Sequence, residues 1–129
     1  MKVISMTNKL EHFKGENESW QRTLSFLVEE SLYLKNRLSE IAKADISPEM
    51  LDELEYFQNT FLNKETALSI MQNDIVDQLG LLTEPKAHDG ALFDRISQQQ
   101  EKLRKDMAAM HKEFIDIRVR FNKTMIDKL

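Results

Sequence analysis

Apolar residues recur at alternating spacings of three and four along nearly the whole chain, and after residue 16 only Pro48, Gly80, Pro85 and Gly90 interrupt the pattern. Such spacing puts the apolar side chains on one stripe of a 3.6-residue helix, so the chain can fold into little except long helices packed along seams. At 129 residues it has the length of a single domain with one elongated core. Cysteine is absent, which excludes a disulfide framework, a thiol nucleophile and a thiolate metal site, and suits the cytoplasm. The apolar run near Met1-Lys2-Val3-Ile4 is too short for a signal-peptide core, and no window approaches about 18 apolar residues. A cytoplasmic protein that neither spans nor binds a membrane is therefore expected.

The punctuation divides the chain. Residues 1–16 form an N-terminal segment, 17–44 the first helix, 47–79 the second, 80–90 a loop and 91–129 the third. Asn17 and Ser19 are candidate N-caps for the first helix, whose seam reads Trp20, Leu24, Leu27, Ser31, Leu34, Leu38 and Ile41. Ser47-Pro48-Glu49 supplies a cap, a proline suited to the first helical position and an acid facing the positive end of the macrodipole. The second seam is Met50, Leu54, Phe57, Phe61, Lys64, Leu68, Met71, Ile75 and Leu79. Gly80 can take the left-handed conformation that ends helices, and Asp89 can cap the third helix. The third seam runs Leu92, Ile96, Gln99, Leu103, Met107, Met110, Phe114, Ile117, Phe121 and Met125. Lys64 in the second seam and Gln99 in the third are polar residues at seam positions that would fix register.

Val3, Met6, Leu10 and Phe13 continue the first seam backwards, in phase with Trp20. The segment either extends the first helix or forms a short helix hinged at Gly15. The cluster Gly15-Glu16-Asn17-Glu18-Ser19, poor in helix formers, favours a separate segment. Short connections force neighbouring helices antiparallel, so the expected fold is all-α: an elongated, coiled-coil-like up-down-up three-helix bundle with a possible additional N-terminal helix. Residues 48–79 carry seven acids against the single base Lys64, whereas residues 91–129 carry nine bases against six acids. Opposite charge favours packing of the second helix on the third.

The first helix has more apolar surface than one seam uses. With Leu27 at zero on a wheel of about 100° per residue, Val28 and Leu32 fall near 100° to 140° and Phe26 and Tyr33 near −100° to −120°. Ile115, Val119 and Ile126 form a second stripe beside the third seam. An apolar surplus of this kind asks for cover, either from the N-terminal segment folding back or from a second copy of the chain. Phe26, Val28, Leu32, Tyr33, Ile115 and Val119 are the interface residues of the expected homodimer, and a further protein partner could use the same surface.

Chemistry is thinly represented. His12-Phe13-Lys14-Gly15 is similar to the motif of histidine phosphotransfer domains, helical bundles in which the phosphorylatable histidine is followed by lysine three residues on and glycine four on. Here lysine and glycine come one residue early, which rotates them by about 100° from where that family places them. A phosphorelay role for His12 is the alternative function that this resemblance implies. His12 and Glu16 make an i, i+4 pair, but a helical metal site needs further ligands on the same face, and the sequence offers none; His88 falls in the loop and His111 lacks an acid at helical spacing. No Gly-x-Ser-x-Gly elbow or glycine-rich phosphate loop is present. No catalytic, cofactor-binding or metal residue is assigned, no cofactor or small-molecule substrate is implied, and the chain reads as a non-enzymatic protein-protein interaction module. A basic third helix, with Lys102, Arg104, Lys105, Arg118, Arg120 and Lys123, keeps nucleic-acid or membrane-surface binding as a further alternative. The net charge of −4 opposes binding to nucleic acid.

Overall fold

In the computed structural model, which describes residues 2–44 and 47–128 and the side chains of 5–44 and 47–125, three long helices form an all-α bundle. They are α1 (Lys2–Ala42), α2 (Pro48–Leu82) and α3 (Gly90–Lys128), with a 3₁₀ turn at Pro85–His88 between the last two. At about 1.5 Å per residue the helices are roughly 60, 50 and 60 Å long. The most extensive packing is between α1 and α2.

The start of α2 matches the sequence closely. Ser47 is extended and its hydroxyl accepts from the Met50 amide at 3.3 Å, Pro48 occupies the first turn, and Glu49 faces the helix N-terminus. The end of α2 differs from expectation. Gly80 has no left-handed backbone, and the helix runs two residues past it to Leu82. Pro85 ends it instead, because the residue before a proline is pushed out of the helical region, and Glu84 is extended at φ −68°, ψ 139°. Thr83 then closes the last turn, its hydroxyl and amide both donating to the Gly80 carbonyl. The expected loop of 80–90 is therefore largely helical, and its Leu81, Leu82 and Ala87 pack with Leu10 and Ile96.

The N-terminal segment is not separate. α1 is one helix from Lys2, and Gly15 lies inside it with nothing near the position its missing Cβ would occupy. Asn17 and Ser19 are consequently interior residues of α1 rather than caps. Because the seam continues unbroken, Leu10 and Asn17 are both buried, and folding back of residues 1–16 over α1 does not occur. The Val3 side chain lies outside the described residues.

Three apolar clusters fill the core. One end, at the α1–α2 turn, gathers Leu34, Leu38, Ile41, Met50, Leu54, Phe57, Phe61, Phe121 and Met125. The middle joins Leu24, Leu27, Leu68, Met71, Ile75, Leu103, Met107, Met110 and Phe114. The far end is the smaller cluster around Leu10, Ala87 and Ile96. Burying each of these larger side chains contributes about 1.5–3 kcal/mol.

Between the middle and far clusters lies a polar layer. Asn17 donates through Nδ2 to Gln100 Oε1 and to the Phe13 carbonyl, both at 2.8 Å, and Gln78 Nε2 donates to Gln100 Oε1 at 3.1 Å and to the Ile96 carbonyl at 2.9 Å. The α3 seam passes through Gln100, fully buried, rather than through Gln99, which is half-buried. Lys64 behaves as its place in the seam suggests: it is half-buried, with its ammonium paired to Glu113 on α3.

Candidate interaction surface

Cross-helix ion pairs locate the two open edges of α1. Lys35 Nζ lies 2.7 Å from Glu65 Oε1 on α2, so the side of α1 carrying Lys35 borders α2. Glu30 lies 3.6 Å from Arg118, and Glu16 lies 2.6 Å from Arg104, so the opposite side borders α3. The Lys35–Glu65 pair is partly exposed on both sides and adds little stability, whereas the acids Glu16 and Glu30 are mostly buried; each pair marks level and side.

The six expected interface residues are exposed and divide between these two edges. Val28 and Leu32 lie on the α2 side of the α1 core stripe, at about 100° and 140° where Lys35 lies at about 80°. Phe26 and Tyr33 lie on the α3 side with Glu30, and Ile115 and Val119 on α3 share the side of Arg118. Leu32, Phe26, Tyr33 and Val119 are each more than half exposed, so nothing among the described residues covers them. They do not make one patch. Ile126, expected to extend the α3 stripe, has its side chain outside the described residues.

On the α2 side the two helices enclose a shallow groove. One stretch, of about 480 Å³, is floored by Leu38, Leu54 and Phe61 and bordered by Leu62; the next, of about 270 Å³, lies among Val28, Leu32, Leu68 and Ser69. Lys35 and Glu65 are the charged residues lining these two stretches, one of each sign. Leu62 and Val76 on α2, both above half exposed, border this face and were not singled out from the sequence. The signal that finds them is a second three-four stripe on each helix: Gln21, Ser25, Val28, Leu32, Lys35, Ser39, Ala42 on α1, and Gln58, Leu62, Glu65, Ser69, Gln72, Val76 on α2. The Ser31 hydroxyl is buried beside this groove with no hydrogen-bond partner.

Elsewhere the surface is occupied with its own charges. Glu16 accepts from Arg104 Nε at 3.0 Å and Nη2 at 2.6 Å. The Arg104 hydrogen bond, aided by Gln100, holds the Glu16 carboxyl below its ordinary value, and Glu16 in turn holds the guanidinium up. Lys102 is raised by its hydrogen bond to Asp106 on the same helix. Arg120 lies 4.2 Å above the Tyr56 ring and donates to its hydroxyl at 3.0 Å. The basic residues of α3 thus pair chiefly with acids of α1 and of α3 itself, not with the acidic α2 as their charges alone suggested. Among the described residues the direct α2–α3 ion pair, between Lys64 and Glu113, has the opposite sense, base on α2 and acid on α3.

His12 is exposed on α1, 3.6 Å from Glu16, and His88 Nε2 lies 2.9 Å from the Thr7 hydroxyl. Among the described residues no three histidine or acidic groups cluster as metal ligands, and no helix is long and apolar enough to cross a membrane. Comparison with family models, with curated proteins and with solved structures finds no match.

Proposed function

We propose that the chain is a non-enzymatic helical interaction module that self-associates and thereby presents or sequesters a helical surface. The observation that carries this reading is the apolar side chains of α1 left exposed outside its own core stripe, Phe26, Val28, Leu32 and Tyr33. Apolar side chains left exposed on both edges of a helix that already packs against two neighbours are costly to keep in water, and such surface is ordinarily covered by a partner. The cysteine-free composition suits a reducing compartment, and the cytoplasm is the location proposed.

Light scattering at micromolar concentration, read together with binding of a hydrophobic dye, tests the reading. A mass near twice the 15.2 kDa of one chain is the expected result. A strict monomer that binds no dye overturns it.

A further inference from the structure

We infer that the α1–α2 face is the dimer surface, and that its occupant is the same face of a second copy, turned about a twofold axis parallel to the helices so that α1 lies on the partner's α2. The inference rests on the self-association proposed above and names the surface that performs it.

Charge is the first argument. The two stretches of groove carry one lysine and one glutamate, Lys35 and Glu65, at one level of the hairpin. A twofold axis parallel to the helices keeps that level and exchanges the helices, so Lys35 faces the partner's Glu65 and Glu65 faces the partner's Lys35. An axis across the helices at this level would instead set Lys35 against the partner's Lys35, which like-charge repulsion disfavours.

Shape is the second. Counting outward from the Lys35–Glu65 level, Leu32 and Ser69 lie one turn to one side and Ser39 and Leu62 one turn to the other. Ser25 and Val76 lie three turns away on the first side. Leu32, Leu62 and Val76 therefore each share a level with a serine on the other helix, while Val28, two turns to the first side, shares its level with Gln72. Laying α1 on the partner's α2 sets Leu32 over the partner's Ser69, Leu62 over the partner's Ser39 and Val76 over the partner's Ser25, a knob against a small residue each time. Leu32, Leu62 and Val76 are all more than half exposed in one chain.

Area is the third. From Gln21 to Ala42 the face is about 30 Å long, and two helix diameters make it about 20 Å wide. That is roughly 600 Å² per chain and about 1,200 Å² for the pair, the lower bound of specific stable interfaces. A single foreign helix seated in the groove would bury about half as much. The result is an antiparallel four-helix layer at the centre of the dimer, with each α3 on the outside and the edge carrying Phe26, Tyr33, Ile115 and Val119 left free.

Sedimentation equilibrium of the full chain and its charge-reversal variants is the test. Lys35→Glu and Glu65→Lys each set like charges against the partner and should weaken the dimer at least tenfold when alone. Mixing the two variants should restore association as a heterodimer, because an all-acidic face then meets an all-basic one. Leu32→Glu and Leu62→Glu, both at solvated positions where helix content should persist by circular dichroism, should give monomers; Tyr33→Glu should leave the dimer unchanged. A dimer broken by Tyr33→Glu but indifferent to the other four changes overturns this face while leaving self-association standing. A wild-type monomer at every concentration overturns both.

Discussion

Two layers of the same bundle are held by opposite means. Near the α1–α2 turn, Phe57 and Phe121 meet edge to face with centroids 5.2 Å apart, and Phe61 lies 5.6 Å from Phe121. Nearer the other end, the same three helices meet through Asn17, Gln78 and Gln100, each essentially inaccessible to solvent. The aromatic layer gains from area and ring geometry and tolerates rearrangement of similar volumes. The amide layer contributes little net stability, since its hydrogen bonds replace equivalent bonds to water, and two of its oxygens, Asn17 Oδ1 and Gln78 Oε1, have no partner. What it supplies is selection: Gln100 reaches both α1 and α2, so sliding any helix by a turn breaks bonds in a buried setting where each unmet group costs about 1–3 kcal/mol. One layer stabilises and the other specifies.

The largest expected effect sharpens the aromatic side of that contrast. Phe57→Ala removes a ring that touches three others, those of Tyr56, Phe61 and Phe121, in a fully buried site and should destabilise by about 3–5 kcal/mol in chemical denaturation; a loss below ~1 kcal/mol would show this end to be loosely packed. The amide layer should respond in a chemistry-dependent way. Gln100→Ala takes from Asn17 and Gln78 one buried hydrogen-bond acceptor each, leaving each only its bond to a backbone carbonyl, and should destabilise by about 2–4 kcal/mol. The triple replacement of Asn17, Gln78 and Gln100 by leucine should recover most of that loss while broadening the transition or allowing alternative association states. If the triple variant stays as singular in mass and as cooperative as the wild type, the layer does not specify register.

A smaller effect lies at the rim of the layer, where Glu16 links Gln100 to Arg104. Its carboxyl titrates below the ordinary value of 4.5 in the folded chain, so the unfolded chain takes up the proton first as pH falls. The stabilisation is complete above that value and is lost as pH drops through the lower folded value. Glu16→Gln should therefore lower stability at pH 7 by about 1–2 kcal/mol, with the difference from wild type shrinking in acid. A difference independent of pH would mean that the Arg104 pair contributes nothing. The smallest change is a gain: Gly15→Ala meets open space within a continuous helix and should stabilise by about 0.5–1 kcal/mol. A loss there would mark Gly15 as a hinge.

Legibility in the sequence divided the same way. The apolar seams were readable because three-four spacing encodes burial directly, and the α2 start was readable because Ser47, Pro48 and Glu49 each act within one turn. The amide layer was not, because Asn17 beside Gly15 looks like a helix boundary when read locally; its burial depends on Gln78 and Gln100, which are remote in sequence. Gln99 and Gln100 differ by one position, and periodicity alone does not separate neighbours on a slightly drifting helix. Gly80 suggested a stop that Pro85, five residues later, performs. The surplus on α1 was visible as composition, but its division into two edges required the levels marked by Lys35–Glu65 and Glu30–Arg118. The acidic α2 and basic α3 do pack on each other as their charges suggested, but net charge reports attraction between helices, not which side chains reach each other, and the basic residues of α3 form their ion pairs elsewhere.

The central claim is that α1 uses its inner stripe within the chain and its α2-side edge between chains. Methyl-resolved NMR of the wild type, from low micromolar to submillimolar concentration, addresses it residue by residue. Concentration-dependent shifts are expected at the Val28, Leu32, Leu62 and Val76 methyls, with Ile115 and Val119 unmoved. Spectra that do not change with concentration, or changes confined to Ile115 and Val119, would contradict it.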